Sequence, residues 1–549
     1  MTHLAHHATP LNLCRQRGAA ALMTTLFLLI VVAMAVLVSL SMSGSDMSDS
    51  SSQHNSVSAL FLAESGLERA RQRFSSGTAC TSLGVDGPHN LGQGSFTVNS
   101  GVGTNFDGVT ILPVNQCRVQ ATGRIATSNV SRTIEGVIQD IIKVKQGNFQ
   151  KITAVGGNQT VTGVGFQPKA VIFFWTRQTA TGYAADESMG FGFATAAANQ
   201  YSVAIESDDN VGNSNYSRIR STGNVILMLA PNAAVGANAT LNARASLVSF
   251  NADGFQINWG VNESRADIIH YIALGGGMNA FAGTFNASGG TGNQAVAGVG
   301  FQPDVVLFLN STIASSETDT TVRNRKQFNL GMMSGAGQQW AISVCGRDNQ
   351  NNPPHAANQQ RTDQAIMTMN NNCTGQDSLA SFVSMNAGGF TINWSNAAGN
   401  AFPIFYLALS GQHRLGSFNQ PTALGNQSQA GFGFPPQELF LASFNRIAGT
   451  GIAPESEISL GAASGPLARG AIWSESRDLG TTDANMATLT TQAIRLATGP
   501  TTTEAEAGLA SFDSDGFTLN WTAADATARQ ILYWGVGSGA PVVRWREYP

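Results

Sequence analysis

Charge is scarce in this chain of 549 residues: 12% are Asp, Glu, Lys or Arg, and they nearly cancel to a net charge of −4. No excess of basic residues is available to neutralise phosphates, so no nucleic-acid partner is expected, and nothing points to an acidic substrate. Catalytic signatures are missing too. There is no His-Glu-x-x-His pair, no Gly-x-Ser-x-Gly elbow and no phosphate-cradling glycine loop before a helix. After residue 140 the histidines are His270, His355 and His413, and none recurs at an equivalent place. The reading is therefore of a protein that is not an enzyme. Cysteine is sparse at five residues, and no Cys-x-x-Cys or Cys/His cluster offers a zinc site. Gly, Asn, Ser and Thr are abundant while Lys is scarce, a composition common in extracellular β-rich binding proteins.

One long apolar run stands against this polar background. Ala19–Val38 contains no charged residue, and a helix of that length is about 30 Å long, enough to cross a bilayer's hydrocarbon. Arg15 and Arg17 precede it, which by the positive-inside rule keeps the N-terminus cytoplasmic. The expectation is a single N-terminal transmembrane helix with the bulk of the chain extracytoplasmic. A plain signal anchor and a cleaved signal peptide compete with this reading, but the run exceeds the roughly 7–15 residues of a signal-peptide core.

Four stretches of the first quarter resemble a known family. Arg15-Gln-Arg-Gly-Ala-Ala-Ala-Leu22 opens the apolar run, and Ser58-Ala-Leu-Phe-Leu-Ala-Glu-Ser-Gly-Leu-Glu-Arg-Ala70 follows it. Cys117-Arg-Val-Gln-Ala-Thr-Gly-Arg124 and Arg132-Thr-Ile-Glu-Gly-Val137 come later. Together they are similar to type IV pilin-like minor pilins of the PilX class. The resemblance implies a leader at residues 1–18, cut by the prepilin peptidase between Gly18 and Ala19. It also implies that the Ala19–Val38 helix packs with other pilins in a fibre core, the protein passing from the inner membrane to an extracellular pilus. Most pilins carry Phe first and Glu fifth in the mature chain; Ala19 and Met23 stand there instead, a pattern that implies a tip-located subunit. An unpaired carboxylate in hydrocarbon is costly, so Met23 enters the bilayer cheaply but forgoes the family's pairing with a neighbour's N-terminus.

Residues 39–146 read as the pilin-like head, a helix on an antiparallel sheet. Val57, Leu60, Phe61, Leu67, Ala70 and Phe74 recur at helical spacing, and Gly77 stops the helix. Strands are expected at Ser95–Val98, Val109–Leu112, Arg118–Ala121 and Thr133–Ile142. Cys14 lies in the leader. The remaining Cys80, Cys117, Cys345 and Cys373 allow three pairings, and their separation into two domains favours Cys80–Cys117 and Cys345–Cys373.

From about Gly147 the chain repeats itself. Gly-Asn-Phe149, Gly-Thr-Phe285 and Gly-Ser-Phe418 open three segments. Gly165-Phe-Gln-Pro168, Gly300-Phe-Gln-Pro303 and Gly433-Phe-Pro-Pro436 then lead into apolar runs, and each segment ends near Trp259, Trp394 or Trp521. The period is about 130 residues, too long for a solenoid. Three tandem β-sandwich repeats of jelly-roll-like type are expected at 147–279, 280–412 and 413–549, the last ending in a strand at Val542–Tyr548. Asp253-Gly254, Gly388-Gly389 and Asp515-Gly516 read as hairpin turns. The tryptophans read as packing residues in preference to a sugar platform. One polar position recurs: Asp209, Asp348 and Asp478 each end a strand and precede a loop that differs strongly among the copies. These aspartates are candidates for ligand or calcium binding through oxygen, or for Asx turns; no other cofactor is expected.

The fold class expected is thus an α+β pilin head on a long N-terminal helix, followed by all-β repeats. The function expected is a minor, tip-located pilin that displays three modules for adhesion to a surface or glycan ligand. A signal-anchored binding or spacer protein is the alternative, and a surface glycosidase a more distant one.

Overall fold

The computed structural model describes residues 27–32 and 47–548, apart from 76–77, 79, 113–115, 233–236, 352, 479–482, 500 and 539–543. Copy 1 of the repeat spans Ile142–Gly276, copy 2 Ala280–Leu409 and copy 3 His413–Gly537. In each, a seven-stranded antiparallel sheet packs against a four-stranded one. The apolar runs dictate where the large sheets go. In Pro168–Thr176, Ala170, Ile172 and Phe174 enter a core shared by all three copies, whereas Val171, Phe173 and Trp175 enter the core of copy 1. Val305, Leu307 and Leu309 alternate in the same way with Val306 and Phe308, and Phe440 and Ala442 with Leu439 and Leu441. A strand buried on both faces needs no polar alternation. The three large sheets therefore line a common axis, and the small sheets form the outside of a pseudo-threefold prism.

Short strands close the ring. Gly182–Ala185 of copy 1 pairs with Asp483–Leu489 of copy 3, Arg323–Asn324 of copy 2 with Tyr216–Ser221 of copy 1, and Ala453–Pro454 of copy 3 with Ala356–Arg361 of copy 2. Each exchanged strand is followed by a non-glycine residue in the left-handed region: Asp186 at φ 64°, Arg325 at 74° and Glu455 at 70°. That conformation costs an L-residue about 1–2 kcal/mol, and here it turns the chain from the neighbouring copy back into its own sheet. Within each large sheet the strands then run in a meander; in copy 1, Pro168–Thr176, Glu187–Ala196, Asn199–Ser207 and Tyr216–Ser221 lie side by side. A jelly roll is built from two Greek keys, so the jelly-roll-like expectation is corrected to a meandering β-sandwich.

The head places the helix Met47–Ser75 on a five-stranded antiparallel sheet. Ala59, Leu62, Ala63, Leu67, Ala70 and Phe74 are buried, while Val57 is 42% exposed, so the buried stripe is richer in alanine than the spacing of large residues suggested. Gly123 explains this: a Cβ there would lie 2.0 Å from the Ala59 carbonyl oxygen, so the helix seats directly on backbone. Val109–Leu112 is not a strand; only an isolated bridge joins Ile111 to Thr104. The fifth strand of the sheet is Arg544–Tyr548, which pairs with Ser131–Gln139, so the end of the chain belongs to the head and not to the third repeat.

Two expectations about the N-terminus are overturned. The described chain is nearly all β, and Met47–Ser75 is the one extended helix among the described residues, which replaces an α+β domain on a long N-terminal helix. No described helix is long and apolar enough to cross a membrane. The single N-terminal transmembrane helix, and the passage from inner membrane to pilus tip derived from it, are corrected accordingly. The physical reason is plain for Met47–Ser75, which carries Asp49, Glu64, Glu68, Arg69, Arg71 and Arg73, each costing about 2.5–3.5 kcal/mol at a bilayer centre. Of Ala19–Val38 only residues 27–32 are described, as helix; Gly18 and Ala19 lie outside the described residues.

A charged level on the axis breaks the apolar rule. Glu187, Lys326 and Ser456 hold the same register in the three copies, opposite Ser207, Gly346 and Ser476. The Lys326 ammonium donates to the Glu187 carboxylate, with both side chains fully buried, and Ser474 Oγ donates to the other Glu187 oxygen at 2.9 Å. Removing one partner of such a pair strands a charge. Lys326→Met is expected to destabilise the protein by about 3–5 kcal/mol, and adding Glu187→Gln should recover a large part of that loss; denaturant midpoints of the three proteins test this.

Candidate functional site at the distal end of the prism

Strand direction assigns the two ends of the prism. The chain enters copy 1 from the head at Ile142, beside Ser538 and Gly411, where Gly276, Leu409 and Gly537 also end their strands. Ile142 pairs with Gly276 and Gln150 with Ile268, while Pro168 pairs with Gly275 and Trp175 with Ile269. The strand Asn199–Ser207, antiparallel to Glu187–Ala196, therefore delivers Asp208 and Asp209 to the end away from the head. Asp348 and Asp478 follow the equivalent strands of copies 2 and 3. The three recurrent aspartates share the distal end with the loops after Asp209 and Asp348 and with Asp483.

Each aspartate reaches across to a neighbouring copy. Asp209 Oδ1 accepts the backbone N–H of Ala484 at 3.1 Å, Asp348 Oδ1 that of Tyr216 at 3.1 Å, and Asp478 Oδ1 that of His355 at 2.6 Å. Copy 1 thus grips copy 3, copy 2 grips copy 1, and copy 3 grips copy 2. Asn210 and Asn349, at φ 53° and 55°, turn the chain immediately afterwards. Asp186 Oδ1 accepts the Asp209 N–H at 2.9 Å, and Asn324 Nδ2 donates to Asp348 Oδ2 at 2.9 Å. Burial raises the Asp209 and Asp348 carboxyls above their ordinary range, against the lowering effect of the backbone donors. Among the described residues no group of three or more His, Cys, Asp or Glu is arranged to hold a metal ion.

The loops above the aspartates interlock. Ser214 N–H donates to the Gln350 carbonyl, Asn349 N–H to the Ser214 carbonyl, and Asn213 Nδ2 to Asn349 Oδ1 at 2.8 Å. Arg220 of copy 1 holds the longest exchange loop, donating to Asp319 Oδ1 at 2.8 Å and to the Glu317 carbonyl at 2.9 Å. Beneath them Tyr216 Oη bonds Ser476 Oγ at 2.8 Å and His355 Nδ1 at 3.0 Å, uniting the three copies in one buried polar network. Of the third loop, only Asp483 lies within the described residues.

The other singled-out residues have structural places. Cys80–Cys117 and Cys345–Cys373 are disulfide-bonded. His270 is buried, stacked on Phe174 and bonded through Nε2 to Thr488 Oγ1 at 2.9 Å; burial pushes its pKa down to about 3. Burial likewise lowers His413 to about 4, where its Nδ1 accepts from Trp534 Nε1. Trp259, Trp394 and Trp521 are buried, and their Nε1 groups donate to Gln159, Gln294 and Gln427 at 2.9, 2.7 and 3.0 Å. Sequence reasoning missed these glutamines, although Gly-Asn-Gln recurs at Gly157, Gly292 and Gly425. Asp253 accepts the N–H groups of Gly163 and Gly165, and Asp515 those of Gly431 and Gly433, tying each hairpin turn to the loop beside it.

No family model, curated protein or solved structure matches the chain.

Buried carboxyls at this end make stability depend on pH. Burial, aided by Asp483, pushes Glu475 up to about 8 from 4.5, and burial also raises Glu206 and Glu457. A folded-state pKa above the unfolded value means that the folded chain holds its proton longer. The contribution of these carboxyls to stability is therefore greatest at low pH and falls as pH rises through the window from about 4.5 to about 8, by up to about 1.4 kcal/mol per pH unit per group, while the buried His270 and His413 act in the opposite sense below about 6.5. Melts between pH 6.5 and 8, above the range in which His270 and His413 oppose it, should show this decline, and Glu475→Gln should make it shallower.

Proposed function

We propose that this protein is an adhesive display subunit of pilin type, in which the head is the attachment end and the prism presents its distal loops to a surface or glycan ligand. One observation carries the reading: Ile142 and Ser538, which adjoin the head in sequence, lie at one end of the prism, and Asp209, Asp348 and Asp478 with the divergent loops after the first two lie at the other. Loops on a rigid scaffold are where binding residues concentrate. Here the scaffold is fixed by the exchanged strands and by the Asp209, Asp348 and Asp478 contacts, which leave loop residues such as Asn349 exposed. The axis brings three unlike loop sets together, so the distal end works as one composite surface in place of three equal sites. The resemblance of the first quarter to minor pilins supports a subunit that joins other pilins through its N-terminal segment.

Binding of the purified protein to a panel of glycans and matrix proteins tests the reading. Asn213→Ala with Asn349→Gly, which keeps the left-handed turn at 349, is expected to weaken binding at least tenfold while the protein stays folded, and Leu467→Ser, at an exposed turn nearer the head, is expected to leave binding intact. Equal binding by both variants removes the distal end as the site.

A further inference from the structure

Lys151 is one of the few lysines in the chain, and it is buried, at 1% exposure, at the end of the first strand of copy 1. Its Nζ lies 2.7 Å from Asn262 Oδ1, 2.9 Å from the Glu263 carbonyl oxygen and 4.0 Å from Asp267 Oδ2. Asp267 is fully buried, and this Oδ2 has no hydrogen-bond partner, while Oδ1 accepts from Arg265. Asn262 cannot turn: its Nδ2 donates to the carbonyls of Ile152 at 2.8 Å and Ala154 at 2.6 Å, which holds Oδ1 toward the lysine. The buried Trp259 ring covers the group, 5.6 Å from Nζ.

The other two copies supply a control. Lys151 N–H donates to the Asp267 carbonyl at 2.8 Å, Ala287 N–H to that of Phe402 at 2.9 Å, and Gln420 N–H to that of Arg529 at 2.8 Å, so these pairs are equivalent. Counted from Trp259, Trp394 and Trp521, Asn262 corresponds to Ala397 and Ala524. The same backbone is thus built with Ala, Ala and Phe in copy 2. Lysine, asparagine and aspartate are present as a set in copy 1 and absent as a set from the others, so the fold itself does not need them.

We propose that Lys151 and Asn262 become joined by an intramolecular isopeptide bond, with Asp267 as the proton relay. The neutral Lys151 amine attacks Asn262 Cγ, so that an Nζ–Cγ bond forms and the Cγ–Nδ2 bond breaks. One amine proton passes by way of Asp267 to Nδ2, which leaves as ammonia, and the product is an amide with no change in oxidation state. Burial favours the neutral amine, since desolvation lowers the Lys151 pKa. Reactants held in a dry site in contact geometry react as an effectively unimolecular pair.

The bond has a mechanical rationale. Ile142–Gln150 is one of the two prism strands that adjoin the head in sequence, the other being Gln530–Gly537, and it lies at the edge of its sheet, hydrogen-bonded to Ile268–Gly276. Linking its far end to Asn262 makes that shear path covalent. Copy 1 alone carries the link, and copy 1 alone follows the head directly.

Mass spectrometry of the full chain after disulfide reduction tests this. A digest is expected to contain one branched species that joins the Lys151 and Asn262 peptides, lighter than their sum by one ammonia beyond any backbone cleavage. Lys151→Arg and Asp267→Asn should abolish it, and Asn262→Asp should replace the loss of ammonia with a loss of water. Wild-type protein that yields the two peptides unlinked and at full mass overturns the proposal, whether or not the variants fold. A mass deficit that survives in Lys151→Arg overturns it equally.

Discussion

Burial of both faces of the large sheets is the constraint on which the rest of this structure depends. A strand such as Pro168–Thr176, apolar on both sides, cannot face water on either. One face is covered by the small sheet of the same copy. The other has nothing within its own copy to cover it, so each repeat is incomplete alone. Three copies around an axis satisfy all three inner faces at once, and a fully buried Phe or Leu contributes about 1.5–3 kcal/mol there. The exchanged strands and the aspartate contacts follow from this arrangement: where two copies meet at the distal end, backbone groups at the sheet edges need partners, and a neighbour supplies them.

An axis built from one repeated sequence would ordinarily place three identical side chains at each level. Divergence of the copies avoids this where charge is involved. Glu187 and Lys326 neutralise each other, and the third copy offers Ser456 at their register and Ser474 as a donor. Three glutamates or three lysines at that level would repel in a dry core. The polar set thereby distinguishes the copies and favours one cyclic order over others, the use of buried ion pairs best attested in helical oligomers. In the same spirit, the position held by Glu206 in copy 1 and Glu475 in copy 3 is Cys345 in copy 2, where a disulfide to Cys373 replaces a protonated carboxyl.

Local order was legible in the sequence. The three repeats, the Asp-Gly and Gly-Gly turns, the apolar runs and the recurrent aspartates all reflect short-range pattern, and the helix stripe was displaced only because Gly123 lets small residues seat it. The ring was not legible. Its closure rests on Gly182–Ala185, Arg323–Asn324 and Ala453–Pro454, strands too short for any periodicity, and on left-handed residues as unlike as Asp186, Arg325 and Glu455. The aspartates were found as a pattern, but their partners are backbone amides of other copies, which carry no side-chain signature. Lys151 escaped notice for the opposite reason: a residue present in one copy out of three leaves no repeat to detect.

The last strand of the chain completes the first domain, since Arg544–Tyr548 pairs with Ser131–Gln139. On a ribosome this has a temporal consequence. The first four strands of the head emerge before the prism, and their Ser131–Gln139 edge stays open through the synthesis of some four hundred further residues, until Arg544–Tyr548 arrives. A chain that stops short of Arg544 leaves the Ser131–Gln139 edge of the head without this partner.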